Sequence, residues 1–203
     1  MHAWILILLL AVTAFAPALS VWPFPWLIPL AGYAVLVAML PPLRMSFRPW
    51  HFGRISRPAL IATATITLGS CLVLVTFQLL THPDVSFFSR FLPVSALGGV
   101  VVFGVLFPVF NALFEEIVFR GILFDAVESQ WGQRIAILGT AIVFGYGHMR
   151  GYPPGALGAL LAGIYGICLG WLRVFSRGLG LPVIAHVAAD ATIFVILVRS
   201  GAS

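Results

Sequence analysis

The chain has 203 residues, of which 61% are hydrophobic and only 8% charged, at a mean hydropathy of +1.09. A soluble domain is about 25% charged, so the composition excludes an ordinary water-soluble globule and places the chain in a bilayer. All eleven basic residues are arginine, and the net charge of +5 includes no basic block interleaved with polar residues, so it reads as loop arginines facing anionic lipid and not as a nucleic-acid surface.

The first apolar run, Trp4 to Ala16, has the length of a secretion signal. It lacks a positive leader, and Pro17 follows its small residues directly, so it reads as a retained membrane helix. A second run covers Trp26 to Leu40 and is ended by Pro41 and Pro42. The polar loop that follows carries Arg44, Arg48, Arg54 and Arg57. A third helix is predicted from about Pro58 to Leu80, then a loop from Thr81 to Pro93. The fourth, from Val94 to Val127, is longer than the hydrocarbon needs at ~1.5 Å per residue, which predicts tilt, a kink near Pro108 or an interfacial portion. Gln133 to Met149, Pro154 to Val174 and Leu181 to Val198 complete an all-α, polytopic bundle of about seven transmembrane helices. No soluble domain, long linker or repeat interrupts it, so residues 1–203 read as a single membrane domain.

Alternating these spans across the bilayer places seven of the eleven arginines on one side: 44, 48, 54, 57, 134, 173 and 177. The positive-inside rule then puts the amino terminus in the cytoplasm. The sixth helix repeats small residues at Gly158, Ala162, Gly166 and Gly170, a row that lets two backbones approach closely in lipid. Cys71 and Cys168 each lie inside apolar runs and read as small packing residues, and His2, His51 and His82 as hydrogen-bonded terminal or loop residues.

Within the fourth run stand Glu115, Glu116 and Arg120. An ionised group at membrane depth costs roughly 2.5–3.5 kcal/mol on insertion scales, and such groups mark pathways or catalytic sites. Glu116 and Arg120, four residues apart, share a helix face and can pair. Glu115 points about 100° away, toward a cavity, where a dry carboxylate suits a general base. The fifth helix places Phe144 and His148 on one face, and the seventh does the same with His186 and Asp190. Measured from the loop near Ser129 to Gly132, Glu115 and His148 lie ~20–25 Å up their helices and can meet at one level. Asp190 has open alternatives, pairing with Arg199 or with His186.

Glu-Glu-x-x-x-Arg at 115–120, Phe-x-x-x-His at 144–148 and His-x-x-x-Asp at 186–190 resemble, in order, the motifs of the CPBP family. That family comprises the CAAX proteases and bacteriocin-processing enzymes, including the prenyl-protein CAAX endopeptidase. The resemblance covers about residues 94–200, leaving amino-terminal helices in 1–93, and implies an intramembrane endopeptidase acting on a membrane-associated or lipidated protein without a cofactor. It further implies that Glu115 and His148 activate water, that Glu116, Arg120 and Phe144 support them, and that His186 with residue 190 stabilises the oxyanion. The commonest family pattern has asparagine at 190. Asp190, when ionised, can only accept hydrogen bonds, so orienting and charging His186 is the role left to it.

Three other readings compete. One glutamate and two histidines match some catalytic zinc sets, though no His-Glu-x-x-His motif is present. A non-catalytic immunity or accessory membrane protein would keep the fold without the chemistry. A proton-coupled transporter would use Glu115 and His148 as a relay, but the chain shows no internal repeat.

Overall fold

In the computed structural model, residues 1–14, 23–46, 50–86 and 97–201 are described. Pro17, Arg48 and the Pro93–Val94 boundary, all used above, lie outside these. Among the described residues every regular element is a helix and none is a strand. They are α1 (His2–Ala14), α2 (Phe24–Met39), α3 (Pro41–Ser46), α4 (Arg57–Thr81), α5 (Leu97–Glu116), a π-helical segment (Ile117–Leu123), α6 (Phe124–Trp131), α7 (Gln133–Gly147), a 3-10 turn (His148–Arg150), α8 (Gly155–Ser176) and α9 (Gly180–Gly201).

Among the described residues, four helices are long and apolar enough to cross a membrane: Arg57–Thr81, the continuous rod Gly98–Trp131, Gly155–Ser176 and Gly180–Ser200. The chain is therefore an integral, multi-pass helical membrane protein. Its apolar helices α1 and α2 are shorter, and α7 has 15 residues before the turn.

Local chemistry accounts for the helix ends. Ser56 caps α4 by accepting from the Ala59 amide at 3.3 Å, with Pro58 in the first turn where no amide is needed. His82 closes the same helix in the left-handed conformation, at φ 43°. Pro41 does end α2, but Pro41 and Pro42 also start α3, because proline suits a first helical turn; the expected loop thus contains a short helix. The loop beyond α3 is anchored. The amides of Leu179 and Gly180 donate to the carbonyls of His51 and Phe52, both at 2.9 Å, tying it to the α8–α9 turn.

Two details were not expected from the sequence. The long fourth rod carries its irregularity at 117–123, where the Phe124 amide reaches the Phe119 carbonyl five residues back, and Pro108 sits buried within α5. Such widened turns concentrate at functional sites, and this one directly follows the two glutamates. The fifth helix ends at Gly147, so His148 opens a 3-10 turn instead of lying on the helix.

Helices α7 and α8 approach closely. A Cβ on Gly145 would stand 2.6 Å from the Ala159 carbonyl oxygen, and one on Gly166 would stand 3.1 Å from Ala141 Cα. Gly158, Ala162, Gly166 and Gly170 are all buried, and Gly166 and Gly170 face α7. Helix α9 packs against α5 and α4, while α1 and α2 cover the π segment through Leu6 and Tyr33.

Candidate active site

Glu116, the last residue of α5, is fully buried, as is Arg120 one turn on, at 0% exposure each. Arg120 Nη1 donates to Glu116 Oε1 at 2.9 Å, and Nη2 reaches the Gly166 carbonyl at 3.4 Å. The guanidinium carbon lies 4.4 Å from the centre of the Phe144 ring, whose electron-rich face offsets part of the cost of burying the charge. The outer half of a two-pronged carboxylate–guanidinium pair is unmade: Glu116 Oε2 and Arg120 Nε are buried without a hydrogen-bonding partner.

The same Glu116 Oε1 lies 2.8 Å from His186 Nδ1. An ionised carboxylate only accepts, so Nδ1 carries the hydrogen and Nε2 is turned to the other side of the ring. There Nε2 meets Glu115 Oε2 at 3.6 Å and Asp190 Oδ1 at 3.8 Å. His148 is set by a different partner, with Nδ1 2.8 Å from the Phe144 carbonyl and its ring 4.3 Å from the Phe144 ring. Its Nε2 therefore faces Glu115 Oε2, at 4.0 Å.

Glu115 is 6% exposed. Its Oε1 accepts from Asn111 Nδ2 at 3.2 Å, whereas Oε2 has no hydrogen-bonding partner and lies between the two imidazole Nε2 atoms. The structure thus brings together all seven residues singled out from the sequence: Glu115, Glu116, Arg120, Phe144, His148, His186 and Asp190. Asp190 meets one of the two partners weighed for it, His186, with Oδ1 3.8 Å from Nε2. Its Oδ2 accepts from Asn111 Nδ2 at 3.1 Å, and the bond that orients His186 comes from Glu116 instead.

Asn111 escaped the sequence reading, although an amide one helical turn before Glu115 in an apolar run carries the same (i, i+4) signal as the chosen pairs. Tyr165 escaped it too. Its ring stands edge-on to His186 at 5.8 Å, and nothing in its surroundings along the chain marks it.

A cavity of about 350 Å³ adjoins the cluster, bounded by α4, α8 and α9. His148, His186 and Asp190 form its polar end, and Ile66, Leu74, Leu161, Ile164 and Ile193 are among its apolar walls. Thr65, Val73 and Ile164 on its rim are exposed, so the cavity opens sideways between α4 and α8, toward lipid. Cys71 and Cys168 are both free thiols, and Cys168 lines this cavity.

The turn carrying His148 is held from outside the cluster. Buried Tyr152 donates to Gln78 Oε1 at 2.8 Å, and Gln78 Nε2 donates to Ser200 at 3.2 Å, linking this connection to α4 and α9. Burial pushes the Tyr152 phenol up to about 12, so it stays a donor at ordinary pH. Among the described residues, no three His, Cys, Asp or Glu side chains are grouped to hold a metal ion.

These features define a helical membrane protein with a lipid-facing cavity ending on an acid–imidazole cluster. A family model described as "Rce1-like: Type II CAAX prenyl endopeptidase Rce1-like" matches residues 97–192, the segment holding every residue of the cluster. The match bears out the CPBP resemblance drawn from the three motifs and relates this segment to CAAX membrane proteases. No curated protein and no solved structure matches the chain.

Proposed function

We propose that the chain is an intramembrane endopeptidase that hydrolyses a peptide bond of a membrane-associated or lipidated protein by a glutamate mechanism. The observation that carries this reading is Glu115 Oε2, a buried carboxylate oxygen without a hydrogen-bonding partner, 4.0 Å from His148 Nε2 and 3.6 Å from His186 Nε2 beside an apolar cavity. With its Nδ1 hydrogen committed to the Phe144 carbonyl, a neutral His148 offers a lone pair at Nε2. A water between Glu115 and His148 would meet two acceptors, one for each proton, leaving its own lone pair for the scissile carbonyl. Glu115 or His148 would then pass a proton to the leaving amine.

The developing oxyanion needs a donor, and His186 in its imidazolium form can supply one from Nε2 while Glu116 holds Nδ1. Arg120 and Phe144 support that pair from behind. A substrate with a lipid group or hydrophobic segment would reach the cluster sideways through the opening between α4 and α8. In this reading residues 1–203 form one membrane domain of seven spans, with α1, α2 and α7 plus its turn joining the four long helices, a catalytic core over about 94–200 and the amino terminus in the cytoplasm.

The test is comparative mass spectrometry of membrane-protein termini from cells expressing the native chain or Glu115→Gln at equal level. Carboxyl-terminal fragments present with the native chain and missing with the variant would identify both reaction and substrate. Identical termini would instead favour an accessory or immunity role.

A further inference from the structure

Asn111 has no part in the proposed chemistry, yet its amide touches both carboxylates that border the cluster. Nδ2 lies 3.2 Å from Glu115 Oε1 on its own helix and 3.1 Å from Asp190 Oδ2 on α9. Both neighbours are acceptors, so the amide orientation follows: the nitrogen, with two hydrogens, faces them, since the carbonyl oxygen there would meet two negative charges. One side chain therefore spends its two hydrogens on two acids from different helices.

This arrangement has two consequences. It draws off one oxygen of each acid, which fixes the rotation of the Glu115 carboxylate and leaves Oε2 directed between the imidazoles. It also interposes donors between two carboxylates that would otherwise repel across the α5–α9 contact. The remaining charged and titratable groups around Glu115 are His148 from the turn, His186 from α9, and Glu116 with Arg120 from its own rod. Among the described residues these make no hydrogen bond to Glu115; the bond that orients it comes from Asn111.

Resting on the protease reading above, we infer that Asn111 is a positioning residue that holds Glu115 and Asp190 through an amide bridge, one hydrogen to each acid, and aims the Glu115 oxygen at the attacking water. The bridge itself is tested without any substrate. Thermal unfolding of the full-length protein in detergent is measured for Asn111→Leu, Glu115→Leu, Asp190→Leu and the two doubles containing Asn111→Leu. Once one end of the bridge is gone, removing the other costs less, so each double should lose less Tm than the sum of its singles. Additive losses overturn the bridge.

Its action on catalysis is tested with a peptide spanning the cleavage identified by the Glu115→Gln comparison. Asn111→Leu should lower kcat by about 10–100-fold, the usual effect of losing an orienting partner, with KM within about threefold. Asn111→Asp, the same size but an acceptor only, should be at least as slow. Adding Asp190→Asn to it restores an amide facing a carboxylate across the two helices and should recover at least about tenfold. An Asn111→Leu enzyme within about twofold of native kcat refutes the positioning role. If the native chain cuts nothing that Glu115→Gln spares, the protease reading and with it the catalytic role fail, and the Tm cycle still decides whether the bridge exists.

Discussion

Replacing Glu116 separates what the buried pair does for the fold from what it does for chemistry. Glu116 and Arg120 have no solvent exposure, and one glutamate oxygen serves both Arg120, at 2.9 Å, and His186, at 2.8 Å. Glu116→Leu leaves a buried guanidinium with only a 3.4 Å contact to the Gly166 carbonyl and the face of Phe144. Stranding one member of a buried ion pair costs about 3–5 kcal/mol. At about 2–4 °C per kcal/mol for a chain of this size, Tm should fall by roughly 6–20 °C. Replacing both partners together, as Glu116→Leu with Arg120→Met, removes the stranded charge and should return Tm close to native, because well-packed apolar substitutes for a buried pair are commonly neutral or better. Activity should not return with it, since His186 Nδ1 has lost its acceptor; losing an oriented oxyanion donor costs about 100–1000-fold in kcat. The assay pairs thermal unfolding in detergent with the rate of fragment formation. A double variant that stays as unstable as Glu116→Leu, or one that recovers both stability and turnover, would refute this division of roles.

Three further outcomes follow from the geometry. Gly145→Ala puts a methyl 2.6 Å from the Ala159 carbonyl oxygen, a backbone atom that cannot swing aside, and should destabilise by about 1–3 kcal/mol, visible as a lower Tm. Tyr152→Phe deletes the 2.8 Å bond to Gln78 and should cost only about 0.5–1.5 kcal/mol; because Tyr152 anchors the connection that carries His148, turnover should fall by more than that stability loss implies, and an unchanged rate would show that the anchor is dispensable. Dialysis against a chelator should leave proteolysis unchanged under the glutamate mechanism, whereas activity lost on dialysis and restored by zinc would support the zinc hydrolase.

The helices were legible because lipid demands long apolar runs and proline punctuates them. The predicted bounds of the third and seventh spans fall within one to three residues of Arg57–Thr81 and Gly180–Gly201. Charged partners four residues apart on one helix were legible, as with Glu116 and Arg120, whereas the neutral Asn111, at the same spacing from Glu115, was passed over. What spacing could not show was contact between helices. The Glu116–His186 bond joins residues 70 positions apart, and the Asn111–Asp190 bond spans 79. Asp190 was therefore offered only the partners visible along its own helix, Arg199 and His186; His186 does stand 3.8 Å from it, but its hydrogen-bond donor lies on α5. The π segment was hidden too: Ile117 to Leu123 has an unremarkable helical composition, and no residue type along it marks a widened turn.

The row of small residues on α8 and the charged cluster are parts of one arrangement. A methyl on Gly166 would stand 3.2 Å from Ala141 Cβ and 3.4 Å from Arg120 Nη2, so the bare glycine both seats α7 against α8 and leaves room for the guanidinium. That same residue offers Arg120 its backbone carbonyl, while Phe144, one turn beyond Ala141 on α7, lies beneath the guanidinium and beside both imidazoles. Close backbone approach is the usual way helices associate in lipid, where water exclusion gives no help. Here it also delivers the acceptor and the aromatic face that make a buried arginine tolerable, and the arginine in turn fixes the glutamate that orients His186. Depth in the membrane, small residues and charge are thus one requirement met in three places, which is why residues that look like unrelated packing and ion-pair features along the chain converge on the imidazole pair.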